Sequence, residues 1–256
     1  MDIIYHKNEL IENGWTKIPQ YISEDEVTYC LKNINKLTEL TVKEFKQKNP
    51  PLKPTETIYR NSKYADIRID AKGIYVDRLQ RVFTPASNPI YKQGLKLLHK
   101  LVNTQLEFFK DRYIIQYPMT EGGLPHQDGS TSNYGRLYNN FYTIYISLGD
   151  TIFERGALFI EDIRNKRTES LNLCELGCMN PNTKCICCDP AICDIHPNDY
   201  FEITTHNKYP TKHKMKPHYL KTGDAVIFDG YVLHGVGRNI SDTIRKTLTI
   251  CYVEHQ

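Results

Sequence analysis

The sequence predicts a mainly β protein with supporting α-helices, a two-sheet barrel braced by helices at its N-terminal end. Helical periodicity is confined to the first part of the chain. From Asp111 onward the apolar residues fall instead into short runs of strand length, separated by turn residues. Helices first and many strands afterwards fit a barrel better than a parallel α/β sheet. A length of 256 residues suits one such core, and no internal repeat divides it, so the expected organisation is a single domain over residues 1–256.

Residues 1–50 read as a helical entry. Ser23-Glu24-Asp25-Glu26 has the form of a capping box, in which the Ser and Glu side chains satisfy each other's backbone N–H groups. Val27, Leu31, Ile34 and Leu37 follow at helical spacing, and Pro50, Pro51 and Pro54 end the pattern. Residues 64–84 alternate between apolar and charged and predict one or two outer strands. Gln93 to Phe109 reads as a second amphipathic helix with Leu97, Leu98, Leu101, Leu106 and Phe109 on its apolar side. Tyr113–Tyr117 is a strand leading toward Pro125-His126-Gln127-Asp128.

The clearest strand is Phe141–Leu148. Tyr142, Ile144, Ile146 and Leu148 form an apolar face, placed against the helices, while Phe141, Thr143, Tyr145 and Ser147 suit a partly polar chamber. Further strands are expected at 156–161, 199–203, 217–220, 224–229, 231–236 and 246–253.

Composition narrows the class. Hydrophobic residues at 40% and charged residues at 25% describe an ordinary globular chain. A net charge of +3 demands neither a nucleic-acid nor a membrane partner. No apolar run is long enough to span a bilayer, and Met1–Glu9 lacks the apolar core of a secretory signal. A cytoplasmic, reducing location is therefore expected, which makes the eight cysteines thiols or metal ligands rather than disulfides. Cys30 and Cys251 fall in helix-like and strand-like segments and read as buried apolar residues.

The chemistry concentrates in His126-x-Asp128, followed far along the chain by His234 and Arg245. Two imidazoles and one carboxylate can occupy one face of a six-coordinate metal and leave three adjacent positions open, the facial triad of non-haem Fe(II) oxygenases. An H-x-D spacing fits an extended segment, where residues i and i+2 share a side. His234 follows Gly223–Leu233, which reads as a turn, a buried strand and another turn that could bring it beside the first pair. Arg245 offers a planar cationic fork suited to a carboxylate. The bland alternative makes the histidines ordinary loop residues and Arg245 a surface charge.

Six of the eight cysteines cluster at Cys174, Cys178, Cys185, Cys187, Cys188 and Cys193, with His196 close behind. Thiolates at this density in a reducing compartment gather chiefly around zinc, which takes four ligands tetrahedrally. Four of these seven residues are the expected structural zinc site, within a Cys-rich insertion at about 165–198. The spacings match no standard zinc finger, and the alternative is a disordered loop with free thiols, or disulfides formed on isolation. Lys208, Lys212, His213, Lys214, Lys216, His218 and Lys221 make a basic stretch that reads first as a solvated loop and second as a contact for an anionic substrate. Tyr134 and Arg136 lie where a loop could cover the site.

With these residues in place, the chain resembles the phytanoyl-CoA dioxygenase family of Fe(II)/2-oxoglutarate-dependent oxygenases. Asn13–Ser23 is similar to the family's opening, where a Gly-aromatic strand leads into a capped helix. His126-Gln127-Asp128 matches its first metal motif and Gly156-Ala157-Leu158 the turn after its central strand. Gly223–Gly235, Asn239, Ser241-Asp242 and Arg245 match its distal motif. The resemblance implies a double-stranded β-helix (jelly-roll, cupin-like) core with N-terminal helices, and iron held by His126, Asp128 and His234. It also implies that Arg245 binds the distal carboxylate of 2-oxoglutarate, with Thr247 as a hydroxyl partner and Tyr145 lining the cosubstrate site.

The activity implied is hydroxylation of a C–H bond of a small-molecule substrate by O2, with release of succinate and CO2. Halogenating relatives replace the carboxylate of the triad with a small residue, and here Asp128 retains it. Two other readings stay open at this point. One is a hydroxylase of a protein or nucleic acid docked through the Cys-rich and basic loops; the other is a catalytically inactive, zinc-stabilised binding protein.

Overall fold

The computed structural model describes residues 1–48, 58–61, 66–70, 73–77, 79, 88–120, 122–129, 140–161 and 215–254, with the backbone alone at 37, 38, 40–48, 58–61, 66–70 and 123–126. The chain opens with helix α1 (Ile3–Asn13), whose N-cap Asp2 accepts from the amides of Ile4 and Tyr5. Strand β1 (Trp15–Ile18) follows, then helix α2 (Glu24–Lys48). The capping box forms as expected: the Glu26 amide donates to Ser23 Oγ at 3.2 Å, and the Ser23 amide donates to Glu26 Oε2 at 2.8 Å. Val27 and Ile34 are buried and Leu31 packs against the same core.

Two strands form within 64–84, as expected, β3 (Asp66–Asp70) and β4 (Gly73–Asp77), and β2 (Ile58–Asn61) before them completes an antiparallel meander. Helix α3 spans Pro89–Val102, which corrects the expected Gln93–Phe109 at both ends. Its start carries the strong signal Asn88-Pro89: Asn88 Oδ1 accepts from the Ile90 amide at 3.0 Å, and proline at the first helical position needs no N–H. Asn103 stops the helix by turning left-handed at φ 51°. Leu106 and Phe109 therefore open strand β5 (Leu106–Gln116), whose pairing with the last strand outweighs the continued helical spacing. Leu106 still buries in the core that the helical reading gave it, because strand alternation reaches the same layer.

The remaining strands are β6 (Gly123–His126), β7 (Phe141–Ser147), β8 (Leu158–Glu161), β9 (Met215–His218), β10 (Ala225–Asp229), β11 (His234–Val236) and β12 (Arg245–Glu254). The expected strand at 231–236 begins only at His234. Before it, Tyr231 and Val232 are held in a turn by hydrogen bonds from their amides to Asp229. The expected strand at 199–203 lies outside the described residues.

Two antiparallel sheets result. The larger runs β1-β10-β7-β12-β5-β4-β3-β2 and the smaller β6-β11-β8-β9. This is the two-layer β architecture expected, with the helices on the outer face of the larger sheet. On that face Ile144, Ile146, Ala225, Ile227, Leu248, Ile250 and Tyr252 meet Leu97, Leu98 and Leu101 of α3 and Val27 and Ile34 of α2. The opposite face looks toward the smaller sheet, where Tyr145, Val226 and Phe228 meet Leu158, Ile160 and Val232. Phe141, Cys251 and Val253 form a small apolar cluster on that inner face. Cys30 and Cys251 are buried free thiols, as expected. No helix among the described residues is long and apolar enough to cross a membrane.

Candidate active site

Strands β6 and β11 pair antiparallel with His126 and His234 as direct Cα partners. Two residues separated by most of the barrel sequence thus meet at one rung. Asp128 lies in the turn after β6, and that turn is tied to the segment before β11. The Gly129 amide donates to the Gly230 carbonyl at 2.8 Å, and Gln127 Nε2, fully inside, donates to the Tyr231 carbonyl.

The Asp128 carboxylate and the His234 ring come together, with Oδ2 and Nε2 3.7 Å apart. His234 Nδ1 lies 3.1 Å from the Val232 carbonyl. A carbonyl only accepts, so the ring proton is assigned to Nδ1, which leaves the Nε2 lone pair facing the carboxylate, as a metal ligand requires. The ring also packs against Phe228, with centroids 4.4 Å apart, and is 5% exposed. Asp128 Oδ2 accepts a hydrogen bond of 2.7 Å from Thr143 Oγ1. Of the expected triad, the side chains of Asp128 and His234 converge, and His126 joins them through its backbone register.

The second part of the site is built on β12 and β7, which pair with Thr247 opposite Ser147 and Thr249 opposite Tyr145. Arg245, Thr247 and Tyr145 are all buried on the inner face. One arm of the Arg245 guanidinium donates to the Gly156 carbonyl. Gly156 holds φ 79°, and a Cβ there would lie 2.4 Å from the Gly237 carbonyl oxygen, so a side chain would break this seat. Arg245 Nε, Thr247 Oγ1 and Tyr145 OH are buried with no hydrogen-bond partner among the described residues. Burial pushes the Arg245 guanidinium below its ordinary pKa, partly offset by Tyr145 and Tyr75.

A buried cation and two buried hydroxyls without partners form a costly arrangement unless an anion completes them. A carboxylate supplies acceptors for all three. The donor set therefore fits the expected role of Arg245, Thr247 and Tyr145 toward a dicarboxylate cosubstrate, and the Asp128–His234 pair fits a divalent metal.

Sequence reasoning missed several supporting groups. Thr143 was placed on the chamber face but given no partner. Gln127 was read as the spacer of the motif, yet its side chain joins the two ligand-bearing segments. Asn239, which the distal motif includes without a stated role, holds the loop between β11 and β12 by donating to the Thr243 carbonyl at 2.7 Å and to the Tyr117 carbonyl at 3.2 Å. On the same inner face, Arg112 of β5 grips Asp77 of β4 with two hydrogen bonds of 2.6 and 3.0 Å. Only a three-dimensional register could reveal these.

Cys174, Cys178, Cys185, Cys187, Cys188, Cys193 and His196 lie outside the described residues, as do Tyr134, Arg136, Lys208, Lys212, His213 and Lys214. Of the basic stretch, Lys216 and Lys221 are exposed, and His218 packs edge-on against Trp15 with centroids 4.3 Å apart.

A family model described as phytanoyl-CoA dioxygenase matches residues 10–247. No curated protein matches the sequence. Among solved structures, the fold is similar to EvdO2 from Micromonospora carbonacea var. aurantiaca, complexed with 2-oxoglutarate, at TM-score 0.62 and 15% identity, covering 98% of this chain and 90% of that one. It is also similar to SnoN, a non-haem α-ketoglutarate-dependent epimerase of nogalamycin biosynthesis, at TM-score 0.59 and 15% identity, covering 98% and 82%. HygX from Streptomyces hygroscopicus, with nickel and 2-oxoglutarate bound, gives TM-score 0.58 and 13% identity, covering 98% and 86%. Identities this low establish a shared fold and nothing finer.

Proposed function

The chain belongs to the phytanoyl-CoA dioxygenase family, and on that premise we propose that it is an Fe(II)- and 2-oxoglutarate-dependent dioxygenase that hydroxylates a C–H bond of a small molecule. The observation that carries this is the buried, incomplete donor set of Arg245, Thr247 and Tyr145 beside the Asp128–His234 pair. His126, Asp128 and His234 would hold the iron. Directly opposed residues of an antiparallel pair share a face, which supports His126 as the third ligand opposite His234. Arg245 would take the distal carboxylate of 2-oxoglutarate, with Thr247 Oγ1 and Tyr145 OH completing its acceptors.

When bound, iron and 2-oxoglutarate supply the oxidation: 2-oxoglutarate and O2 yield succinate and CO2, and one oxygen atom enters the substrate C–H bond. The residues of this chain do the rest. Asp128 would hold the iron where a halogenating site leaves room for halide, which favours hydroxylation over halogenation. The apolar walls of Tyr145, Val226, Phe228, Leu158 and Ile160 exclude water around the reacting centre. The Arg112–Asp77 pair gives the chamber wall a fixed polar group at which a substrate can be oriented.

The test is anaerobic titration of the purified protein with Fe(II) and 2-oxoglutarate, followed by O2 exposure and measurement of succinate. Candidate small molecules are then screened under ¹⁸O2. We expect Fe(II)-dependent binding of 2-oxoglutarate and succinate release that rises with the right substrate, which gains one labelled oxygen. Absence of 2-oxoglutarate binding would remove the dioxygenase reading; turnover without labelled product would leave another reaction, such as a redox-neutral epimerisation, in its place.

A further inference from the structure

We propose that Thr143 is a positioning residue for the metal: its hydroxyl holds the Asp128 carboxylate toward His234, and the Cys251 thiol commits that hydroxyl's single proton to the carboxylate. This rests on the metal-centre reading of the site. Thr143 lies in the middle of β7, fully buried, and Cys251 is its direct Cα partner on β12, 2% exposed. Thr143 Oγ1 stands 2.7 Å from Asp128 Oδ2 and 3.5 Å from Cys251 Sγ.

The direction of each bond follows from what each group can do. An ionised carboxylate only accepts, so the threonine proton goes to Asp128. With that proton spent, Thr143 Oγ1 can only accept, and the thiol must donate. Burial, acting first, pushes the Cys251 thiol up to about 12 and so keeps its proton in place. The result is a one-way chain, Cys251 S–H to Thr143 O–H to Asp128, running from the floor of the larger sheet to a residue of the smaller sheet's turn.

Asp128 has no backbone strand pairing of its own, since β6 ends at His126. A carboxylate in a turn takes its orientation from the side chains around it. Loss of a supporting hydrogen bond to a ligating group typically costs ~10–100-fold in metal affinity. Thr143 reaches Asp128 from the central strands of the larger sheet.

The experiment is Mn(II) titration of the full-length protein under anaerobic conditions, read by the EPR signal of the free ion, with and without 2-oxoglutarate. Wild type is compared with Thr143→Val, Thr143→Ser, Cys251→Ala and Cys251→Ser, with His234→Ala as the ligand control. Removing the hydroxyl in Thr143→Val should weaken Mn(II) binding ~10-fold or more, and Thr143→Ser should restore it. Cys251→Ala should weaken binding ~3-fold, with recovery in Cys251→Ser, as expected for one neutral hydrogen bond acting through another.

Wild-type affinity in Thr143→Val, or equal loss in Val and Ser, overturns the positioning role and leaves Thr143 a packing residue. Wild-type affinity in Cys251→Ala overturns the part played by the thiol. Should the valine variant not fold, Thr143→Cys replaces it, because a thiol is a poor donor and the same loss relative to serine is expected. Failure of the metal-centre reading itself looks different: wild type and His234→Ala would then bind Mn(II) equally poorly.

Discussion

Arg245 is a guanidinium 4% exposed, with one arm on the Gly156 carbonyl and Nε without a partner among the described residues. Arg245→Ala should weaken 2-oxoglutarate binding by ~2–5 kcal/mol, the cost of removing one partner of a buried charged pair, while metal affinity measured without 2-oxoglutarate stays near wild type. Arg245→Lys should recover only part, because an ammonium lacks the planar fork. Isothermal titration calorimetry checks both; unchanged 2-oxoglutarate affinity in the alanine variant would refute the assignment. At the other end of the exposure range, Asp150 accepts from the Thr222 amide and hydroxyl, each at 2.8 Å, and the amide bond foremost holds its carboxyl below the ordinary value of 3.8. A group depressed in the folded state stabilises fully above its unfolded pKa and loses that contribution as pH falls through the folded one. Acid titration followed by circular dichroism should therefore show a shallower loss of stability below that ordinary value in Asp150→Asn than in wild type.

Element boundaries depended on caps more than on periodicity. The capping box of α2 was readable because Ser23 and Glu26 bond only to each other's neighbourhood, a local matter. The end of α3 was not, because Leu106 and Phe109 satisfy helical spacing and strand alternation equally well, and the choice fell to pairing with a strand at the other end of the chain. Asn88→Ala should destabilise by about 1 kcal/mol through loss of the α3 N-cap, measured as a shift in the denaturant midpoint. Gly94 sits where α3 presses on the sheet: a Cβ there would lie 2.6 Å from Tyr252 Oη and 2.9 Å from Ile144 Cδ1. Tyr252 Oη is itself committed to the Tyr91 carbonyl at 2.8 Å, so it cannot retreat without cost. Gly94→Ala should therefore lose ~1–3 kcal/mol despite alanine's better helix propensity, an overpacking effect that outweighs a gain of about 1 kcal/mol. A more stable Gly94→Ala protein would show that the helix can lift off the sheet.

For the whole molecule, ligands that bind only the folded site must stabilise it by mass action. With Mn(II) present and 2-oxoglutarate at 100 times its dissociation constant, the expected gain is about 2.7 kcal/mol, or a rise in Tm of several degrees for a chain of this size. Arg245→Ala should lose the 2-oxoglutarate part of that rise and keep the Mn(II) part; His234→Ala should lose both. Differential scanning calorimetry separates the cases, and a 2-oxoglutarate shift that survives in Arg245→Ala would place the cosubstrate elsewhere. The sequence by itself determined the two-layer β class, the helical brace, and the residues suited to a metal and a carboxylate. It could do so because ligand chemistry restricts residue type: few combinations of His, Asp and Arg at such spacings serve another end. What only the tertiary structure decided is which groups stand around them. The pairing of His126 with His234, the Gln127 tie to Tyr231, the Thr143 hydroxyl on Asp128 and the unpartnered atoms of Arg245, Thr247 and Tyr145 all arise from strand register. Register is set by long-range pairing energies summed over whole sheets, and no local run of residues encodes that sum.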